Sequence, residues 1–387
     1  MRLLTSIRLF SAVATAVLVP GPFGPYDVAV KIQPLTDTSR PDPFDPTGQS
    51  KSRRLLVSVF LPIEKQRRSC PPTTVPYMTP PVAASYGEQA NQVVGLPATF
   101  YNQFEMQFCD LSKLPSCAKT GKQKKKYPLI LFGPGLAESR LIYNAMARSL
   151  ASQGYVVVSV DHPFEAPAIQ FPDGSIIEGI DIDSDSESVL EKVLSVRTTD
   201  MSFIIDQLSN KTITDPLLAD FPGTLDLKQL AMWGHSFGGA TSASLLHSDE
   251  RLVGGLDLDG MLVNPILSTD ITKPFVLAGQ LAHDAGDPTW GQFWPHLKGK
   301  SMQIGIDHTL HGSFKDILLL ASVLDLTDET RQAIQQAVGS IDPYQLDKDL
   351  NGILNAFFKL IFNGQPAPLQ NLPQNFANVS IVRRNNL

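Results

Sequence analysis

The sequence of 387 residues has no excess of basic charge, few cysteines and no long apolar run beyond its N-terminus. Lys and Arg total 32 against 38 Asp and Glu, so we expect no nucleic-acid partner, because such binding depends on a basic surface. Three cysteines are too few for a scaffold built from disulfides. No later stretch approaches roughly 18 consecutive apolar residues, so we also expect no stable membrane span.

The N-terminus has the pattern of a secretory signal peptide. Arg2 and Arg8 supply positive charge, an apolar run follows, and small residues at 11–16 offer A-x-A-like cleavage positions. The run is shorter than the ~20 residues that cross a bilayer. We therefore expect residues 1–19 to be a cleaved leader, residues 20–387 to form one domain, and the protein to be secreted. An ordinary buried N-terminal helix is the alternative.

Two further features agree with export. Asn210 and Asn378 each begin an N-x-S/T triplet and are predicted glycosylation sites. In an oxidising compartment, two of the three cysteines Cys70, Cys109 and Cys117 are expected to pair. The sequence does not distinguish which two they are.

The chain changes character at about one third of its length. Residues 22–50 predict an extended arm, and residues 63–126 predict a long, irregular, lid-like insertion that holds all the cysteines. From Tyr127 onward, short continuous apolar segments alternate with helical periodicity, which indicates a mostly parallel sheet with helices on both faces. Predicted strands are 54–62, 129–132, 155–160, 230–233, 252–258, 273–278 and 301–306, and predicted helices are 139–152, 187–208, 238–247, 313–323, 327–338 and 347–362.

A nucleophile motif lies between a predicted strand and a predicted helix. Residues 234–239 read GHSFGG and contain G-x-S-x-G, preceded by the apolar QLAMW and followed by the small-residue segment GATSASLL. This strand–turn–helix setting is that of the nucleophile elbow in the α/β-hydrolase fold. The turn exposes Ser236 as the nucleophile and directs the next amide, that of Phe237, toward a developing oxyanion.

A serine hydroxyl needs a base, which is normally a histidine held by a carboxylate. In this fold the chain order is Ser, acid, His, so the base is expected after the last predicted strand. His308 and His311 both follow that strand. His311 stands at a loop-to-helix junction and is the predicted base, with His308 as the alternative.

The acid is expected at the end of a strand after the elbow. Asp259 ends the strand segment LDLDG and is the predicted acid. Asp257 shares its face two residues deeper, and Asp284 and Asp287 follow the next strand; these three are the alternatives.

The second oxyanion donor comes from the loop after an earlier strand. Strand 129–132 runs into Gly-Pro-Gly-Leu-Ala at 133–137. Pro134 has no N–H, so the amide of Leu136 is the predicted donor.

With these motifs in view, the chain resembles the platelet-activating-factor acetylhydrolase family, particularly its secreted fungal-type members. The segments that carry the resemblance are 39–46 (SRPDPFDP), 53–62, 132–140 (FGPGLAESR), 155–174, 234–241, 256–260 and 311–316 (HGSFKD). The resemblance implies that Asp259 is the acid, His311 the base, and the amides of Leu136 and Phe237 the oxyanion donors. It further implies hydrolysis of short or oxidised sn-2 acyl esters of phospholipids, with no cofactor and no metal. The chain departs from the family at Pro134, where members commonly have histidine.

Two alternatives to this function remain at the level of sequence. A general carboxylesterase or polyester hydrolase uses the same triad, and a non-catalytic binding protein could share the fold. Trp290, Phe293 and Trp294 either line an acyl pocket or serve in packing. The apolar segment 351–363 is either a core helix or a transient contact with a lipid surface.

Overall fold

The structure, a computed structural model, describes residues 16–65, 70–114 and 124–387. Its strands are β1 Val17–Leu18, β2 Tyr26–Asp37, β3 Arg53–Glu64, β4 Pro72–Pro76, β5 Phe104–Cys109, β6 Lys125–Gly133, β7 Val156–Asp161, β8 Ala168–Gln170, β9 Ile176–Glu178, β10 Gly223–His235, β11 Gly255–Leu258, β12 Phe275–Gln280, β13 Ser301–Ile306 and β14 Val379–Asn385. Its α-helices are α1 Pro80–Val94, α2 Asn144–Ala151, α3 Glu187–Ser209, α4 Lys211–Leu217, α5 Phe237–Ser248, α6 His283–Gly286, α7 Thr289–Phe293, α8 Ile317–Ser322, α9 Asp328–Val338, α10 Pro343–Asn363, α11 Ala367–Gln370 and α12 Leu372–Asn375. Short 3-10 helices include Arg140–Tyr143 and His311–Phe314.

In the main sheet, the carboxyl ends of the parallel strands β6, β10, β11 and β13 lie on the same side. Its strand order over the described chain is β14-β13-β12-β11-β10-β6-β7-β3-β2. Strands β7, β6, β10, β11, β12 and β13 run parallel, while β14, β3 and β2 pair antiparallel. The continuous apolar segments predicted these central strands correctly, because strands buried on both faces need no polar alternation.

Helices cover both faces of this sheet. Side chains alternate along a strand, and β6 shows the consequence directly. Leu129 and Leu131 lie in one core cluster with residues of α3 and α5. Ile130 and Phe132 lie in a second cluster with residues of α2 and α10. The predicted α/β-hydrolase architecture is confirmed.

The prediction of an irregular insertion at 63–126 is wrong for its described residues. The segment contains the 15-residue helix α1 and strands β4 and β5, which pair antiparallel. Pro80 and Pro81 begin α1 at positions where proline is tolerated, and Gly95 ends it with φ 68°. Pro80 and Pro81 are therefore helix-start signals rather than signs of irregular chain.

Both ends of the described chain add strands that the sequence prediction did not place. The proline-rich arm forms β2, which pairs with β3 along its whole length. At the other end, β14 pairs antiparallel with β13. Val17 and Leu18, inside the expected leader, pair with β5, and Val19 is buried.

The apolar segment 351–363 is a core element. It forms most of α10, whose Leu354, Phe357 and Phe358 are buried in the main core. The structure agrees with the core interpretation rather than with the alternative of a lipid contact, because these apolar side chains pack against protein. Among the described helices, none has the length and apolar character to span a membrane.

Cys70 and Cys109 form a disulfide, which joins the start of β4 to the end of β5. Cys117 lies outside the described residues. The crosslink spans a sequence separation of 39 residues. We expect its reduction to lower the free energy of unfolding by about 4 kcal/mol, because the reduced unfolded chain gains conformational entropy. Urea unfolding with and without reductant measures this, with the Cys70→Ser, Cys109→Ser double variant as the control that reductant does not change. A non-reducing peptide map that links Cys117 to either residue would contradict the pairing.

Candidate active site

The turn between β10 and α5 holds Ser236 in a strained conformation. Its φ is 56° and its ψ is −127°, a region that non-glycine residues seldom occupy. The flanking glycines are required by close contact, because a Cβ on Gly234 would overlap Gly238 and a Cβ on Gly238 would overlap Gly133. The segment therefore has the geometry of the predicted nucleophile elbow.

The structure brings Asp259 and His311 together. Nδ1 of His311 lies 2.8 Å from Oδ2 of Asp259. The carboxylate can only accept, so Nδ1 carries the proton and Nε2 remains available as a base. The side chain of His311 is 52% exposed, so this nitrogen is accessible at the open end of the sheet.

The alternative residues have other partners. His308 is 62% exposed and lies 3.8 Å from Asp307. Asp284 accepts a hydrogen bond from Gln303. Asp287 lies against His283 rather than His311. The geometry agrees with the predicted pair Asp259 and His311.

Asp257 and Asp259 differ in charge state as well as in partners. Asp257 accepts hydrogen bonds from the Gly260 amide at 2.9 Å and from Trp290 Nε1 at 3.2 Å. Burial raises the pKa of Asp257 well above its ordinary value. Burial alone would also raise the pKa of Asp259, but hydrogen bonds from His283, His311 and the Gln280 amide outweigh it and lower that pKa. Of the two carboxyl groups, Asp259 is therefore the one that stays ionised beside a histidine.

The oxyanion loop approaches the serine closely. A Cβ on Gly135 would lie 3.4 Å from Cβ of Ser236. The Gly135 amide is already occupied, since it donates to the Tyr143 hydroxyl at 3.2 Å. Within the described residues, the amides of Leu136 and Phe237 have no partner. The structure thus leaves free the two donors that the sequence predicted.

A buried histidine connects the oxyanion loop to the loop of His311. His235 Nε2 lies 3.1 Å from the backbone carbonyl of His311, and its Nδ1 lies 2.9 Å from the Tyr143 hydroxyl. A carbonyl only accepts, so Nε2 holds the proton and Tyr143 donates to Nδ1. Burial, with His311 and Lys315 nearby, lowers the pKa of His235 well below its ordinary value. The neutral ring therefore fixes both loops at once.

The segment HGSFKD supplies a second connection between these loops. Asp316 accepts hydrogen bonds from the Ala145 amide at 2.6 Å and from the Tyr77 hydroxyl at 2.8 Å. Lys315 pairs with Glu138 at 2.9 Å, just beyond the oxyanion loop. The residues after His311 thus fasten the histidine loop to the start of α2.

The sequence pattern did not indicate Arg197, whose side chain is hydrogen-bonded to the oxyanion loop. This buried side chain in the middle of α3 donates to the carbonyls of Pro134 at 2.7 Å and Gly135 at 3.0 Å. Its Nε donates to Glu165 at 2.7 Å. A planar guanidinium suits this task, because it offers several donors in a fixed fork. Glu165 belongs to the segment 155–174 that carried the family resemblance, which was the available signal.

A buried charge network extends from Glu165 to the N-terminal arm. Arg53 pairs with Asp200 at 2.7 Å and with Asp42 at 2.8 Å. Arg40 also contacts Asp200, and His162 Nδ1 lies 2.7 Å from the same carboxylate. Arg40 and Asp42 come from SRPDPFDP, so this arm motif is part of the support beneath the site.

We expect Arg197→Lys to lower kcat by roughly 10–100-fold with KM little changed, because lysine cannot bridge both carbonyls and the loop shifts. Steady-state kinetics on a nitrophenyl acetate ester measure the effect. Arg251→Lys is the matched control, since Arg251 pairs with Asp206 and Asp249 beyond the far end of α5. Unchanged kcat in Arg197→Lys would show that the loop keeps its shape without the guanidinium.

The proposed acyl-pocket aromatics serve mainly in packing. Trp290 and Phe293 are fully buried, and Phe293 packs edge-on against Phe275. Trp294 lies under the guanidinium of Arg383. The packing alternative therefore accounts for these side chains.

Other apolar side chains are exposed beside the site. Met261 lies two residues after Asp259, Leu281 follows β12, and Leu310 precedes His311. All three are among the exposed large hydrophobic residues. We call these three residues, which stand next to Asp259, β12 and His311 in the chain, the apolar border. Within the described ranges, no group of three or more His, Cys, Asp or Glu residues is arranged to hold a metal ion.

Fold and site together define a carboxylic ester hydrolase of the α/β-hydrolase class. The model of the family described as platelet-activating factor acetylhydrolase, isoform II, matches residues 85–171 and 187–338, and the chain belongs to this family. A protein of Arthroderma benhamiae named probable 1-alkyl-2-acetylglycerophosphocholine esterase is 28% identical over 334 residues, covering 81% of this chain and 80% of that protein.

Two other comparisons agree with the family and the fold. Platelet-activating factor acetylhydrolase of Cavia porcellus is 29% identical over 231 residues, covering 53% of this chain and 51% of that protein. The solved structure of a ferulic acid esterase from Streptomyces cinnamoneus superposes with a TM-score of 0.73 at 23% identity. The match covers 95% of this chain and 99% of the esterase, and it supports the fold.

Proposed function

We propose that the protein hydrolyses the sn-2 acetyl or other short acyl ester of a glycerophospholipid, with Ser236, His311 and Asp259 as the catalytic triad. The observation that carries the chemistry is the 2.8 Å contact of His311 with Asp259 at the edge where the Ser236 elbow lies. The family and the names of its relatives in Arthroderma benhamiae and Cavia porcellus support the substrate class.

In this mechanism His311 Nε2 accepts the hydroxyl proton as Ser236 Oγ bonds to the ester carbonyl carbon. The carbonyl oxygen becomes an oxyanion, which the amides of Leu136 and Phe237 stabilise. Collapse of this intermediate breaks the bond to the glycerol oxygen, and that oxygen takes the proton from His311. Water, deprotonated by His311, then attacks the acyl-serine. The bond between the acyl carbon and Ser236 Oγ breaks, Oγ takes the proton back from His311, and the carboxylic acid is released. Asp259 holds the imidazole tautomer throughout.

The surroundings of the site favour a lipid-like ester over a polar one. Met261, Leu281 and Leu310 form an apolar border, which suits a substrate presented with hydrocarbon around its ester. Pro134 of the oxyanion loop carries no charge, and its carbonyl accepts a hydrogen bond from Arg197. This border also suits a polyester surface, so the substrate class needs a direct test.

A substrate panel tests the proposal. We expect the highest kcat/KM on 1-alkyl-2-acetylglycerophosphocholine, a lower value on a long-chain sn-2 phospholipid, and little activity on a long-chain triglyceride or a polyester film. Nitrophenyl acetate reports the triad without regard to substrate class. Faster hydrolysis of the polyester film or the triglyceride than of the acetyl phospholipid would replace the proposal with the general esterase alternative.

We further propose that the chain is exported, with cleavage after Ala16 rather than Val19. The support is that Val17 and Leu18 pair with β5, while Arg148 donates to the Val19 carbonyl. Mass spectrometry of the protein from culture medium would show Val17 as the first residue. A product that retains residues 1–16, or protein found only inside the cell, would contradict this.

Asn210 is the better supported glycan acceptor of the two predicted. It is exposed, and its Oδ1 caps α4 by accepting from the Thr212 amide at 3.0 Å. Asn378 is half-buried, and its Nδ2, the atom that a glycan requires, lies 3.3 Å from Asp349. Enzymatic deglycosylation followed by peptide mapping distinguishes them.

A further inference from the structure

The carboxylate of Asp259 is held by two histidines. Oδ2 accepts from His311 Nδ1 at 2.8 Å. Oδ1 accepts from Nδ1 of His283 at 2.9 Å and from the Gln280 amide at 2.9 Å. His311 therefore contacts Oδ2 of Asp259, while Oδ1 is held by His283, a residue that has no part in the mechanism above.

His283 is built into the protein rather than exposed. Only 4% of its side chain is exposed, and its ring stacks on Trp290 with centroids 3.6 Å apart. Its position follows β12 directly, at the start of the short helix α6. The stacking and burial give the ring one orientation.

Both ring nitrogens of His283 face carboxylates. Nδ1 meets Asp259, and Nε2 lies 3.2 Å from Oδ2 of Asp287. The Nδ1 contact is a hydrogen bond, whereas the Nε2 contact is at ion-pair distance without the alignment of a hydrogen bond. A protonated ring is attracted to both carboxylates, since neither carboxylate has a proton to donate. Burial lowers the pKa of His283, but pairing with Asp259 and Asp287 and the nearby Asp257 outweigh it and raise that pKa to about 9. The ring is therefore an imidazolium at neutral pH.

We propose that His283 is a positioning residue for ester hydrolysis, which anchors Oδ1 of Asp259 so that Oδ2 faces His311. The proposal rests on the proposed triad. Hydrogen bonds then run from His283 through Asp259 to His311, and the carboxylate of Asp287 supports the charge of His283 at ion-pair distance.

The positive charge of His283 also affects how kcat/KM depends on pH. The positive charge of His283, held against Asp259, offsets part of the negative field that Asp259 presents to His311. We expect loss of the His283 charge to move the acid limb of the kcat/KM profile to higher pH. The groups that face His283 are Asp257, Asp259 and Asp287, and His311 lies across Asp259.

Two substitutions separate the anchor from the charge. Asn at 283 places an amide N–H where Nδ1 lies, so His283→Asn keeps a donor and loses the charge. His283→Leu loses both. We expect His283→Leu to lower kcat on nitrophenyl acetate by roughly 10–100-fold with KM within about twofold. His283→Asn should recover most of that kcat, and both should move the acid limb upward by roughly half to one pH unit.

The matched control is His296→Asn, since His296 makes a similar contact to Asp270, 2.8 Å, on the exposed surface. We expect this variant to keep the parent kcat and profile. Asp287→Asn tests the charge with His283 in place, and it serves where His283→Leu does not fold. It should move the limb in the same direction by a smaller amount.

The inference is overturned if the acid limb stays in place in His283→Asn and Asp287→Asn, or if kcat of a folded His283→Leu equals that of the parent. A fall in kcat that tracks a fall in melting temperature, with an unchanged profile, also overturns it. Failure of the triad itself is distinguishable, because Ser236→Ala would then retain turnover of nitrophenyl acetate.

Discussion

Replacing Ser236 with alanine is expected to lower kcat on nitrophenyl acetate by roughly 10⁶-fold. Alanine lacks Oγ, the atom that bonds to the ester carbonyl carbon, and neither His311 nor Asp259 can replace it. The residual rate comes from the oxyanion donors and from binding. Circular dichroism and melting temperature should stay near those of the parent, since the glycines of the elbow determine how α5 packs on β10. Steady-state and single-turnover kinetics measure the loss.

Ser244→Ala provides the matched control for that loss. Ser244 lies on the same helix as the elbow, and its hydroxyl contacts Thr198 at 2.9 Å rather than the site. We expect parent-level kcat from this variant. Turnover by Ser236→Ala within tenfold of the parent would remove Ser236 from the mechanism.

Asp259→Asn is expected to lower kcat by roughly 10⁴-fold with the fold intact, because an amide in this position selects the wrong histidine tautomer. In this protein the surroundings of Asp259 add a second reason. His311, His283 and the Gln280 amide all donate to Asp259, so an amide NH2 would face a donor whichever way it turned. The acid limb and kcat together, measured on nitrophenyl acetate, report the change.

Asp257→Asn is the control for Asp259→Asn. Asp257 is fully buried and holds a raised pKa, so the isosteric amide preserves its neutral state and an oxygen that accepts from Gly260. We expect a change in kcat of less than tenfold. Larger loss from Asp257→Asn than from Asp259→Asn would exchange the roles of the two aspartates.

The sheet and the elbow were predictable because both are local in sequence. Strands buried on both faces show as continuous apolar segments, such as β7, and the elbow shows as glycines at fixed distances from Ser236. The sequence also favoured Asp259 over Asp257, but the contacts that separate the two residues are visible only in the structure. Asp257 lies in β11 and Asp259 directly after it, and their different partners, Trp290 and His311, come 33 and 52 residues later in the chain.

The supporting residues were not predictable for the same physical reason. Arg197 lies in the middle of a regular helix, where arginine is an ordinary residue, and its value comes from carbonyls more than 60 positions away. His283 was one of seven histidines, and no spacing connects it to Asp259. Helix α1 was missed because its first-turn prolines indicate a break when they are taken without the helix that follows.

Covalent labelling with a fluorophosphonate tests the central claim most directly, because the probe reacts with an activated serine whatever the natural ester is. We expect one adduct per chain by intact mass, located on Ser236 by peptide mapping and absent from Ser236→Ala. Its rate of formation should fall in Asp259→Asn alongside kcat. An adduct on another residue, or equal labelling of Ser236→Ala, would contradict the assignment of Ser236, His311 and Asp259 as the catalytic machinery.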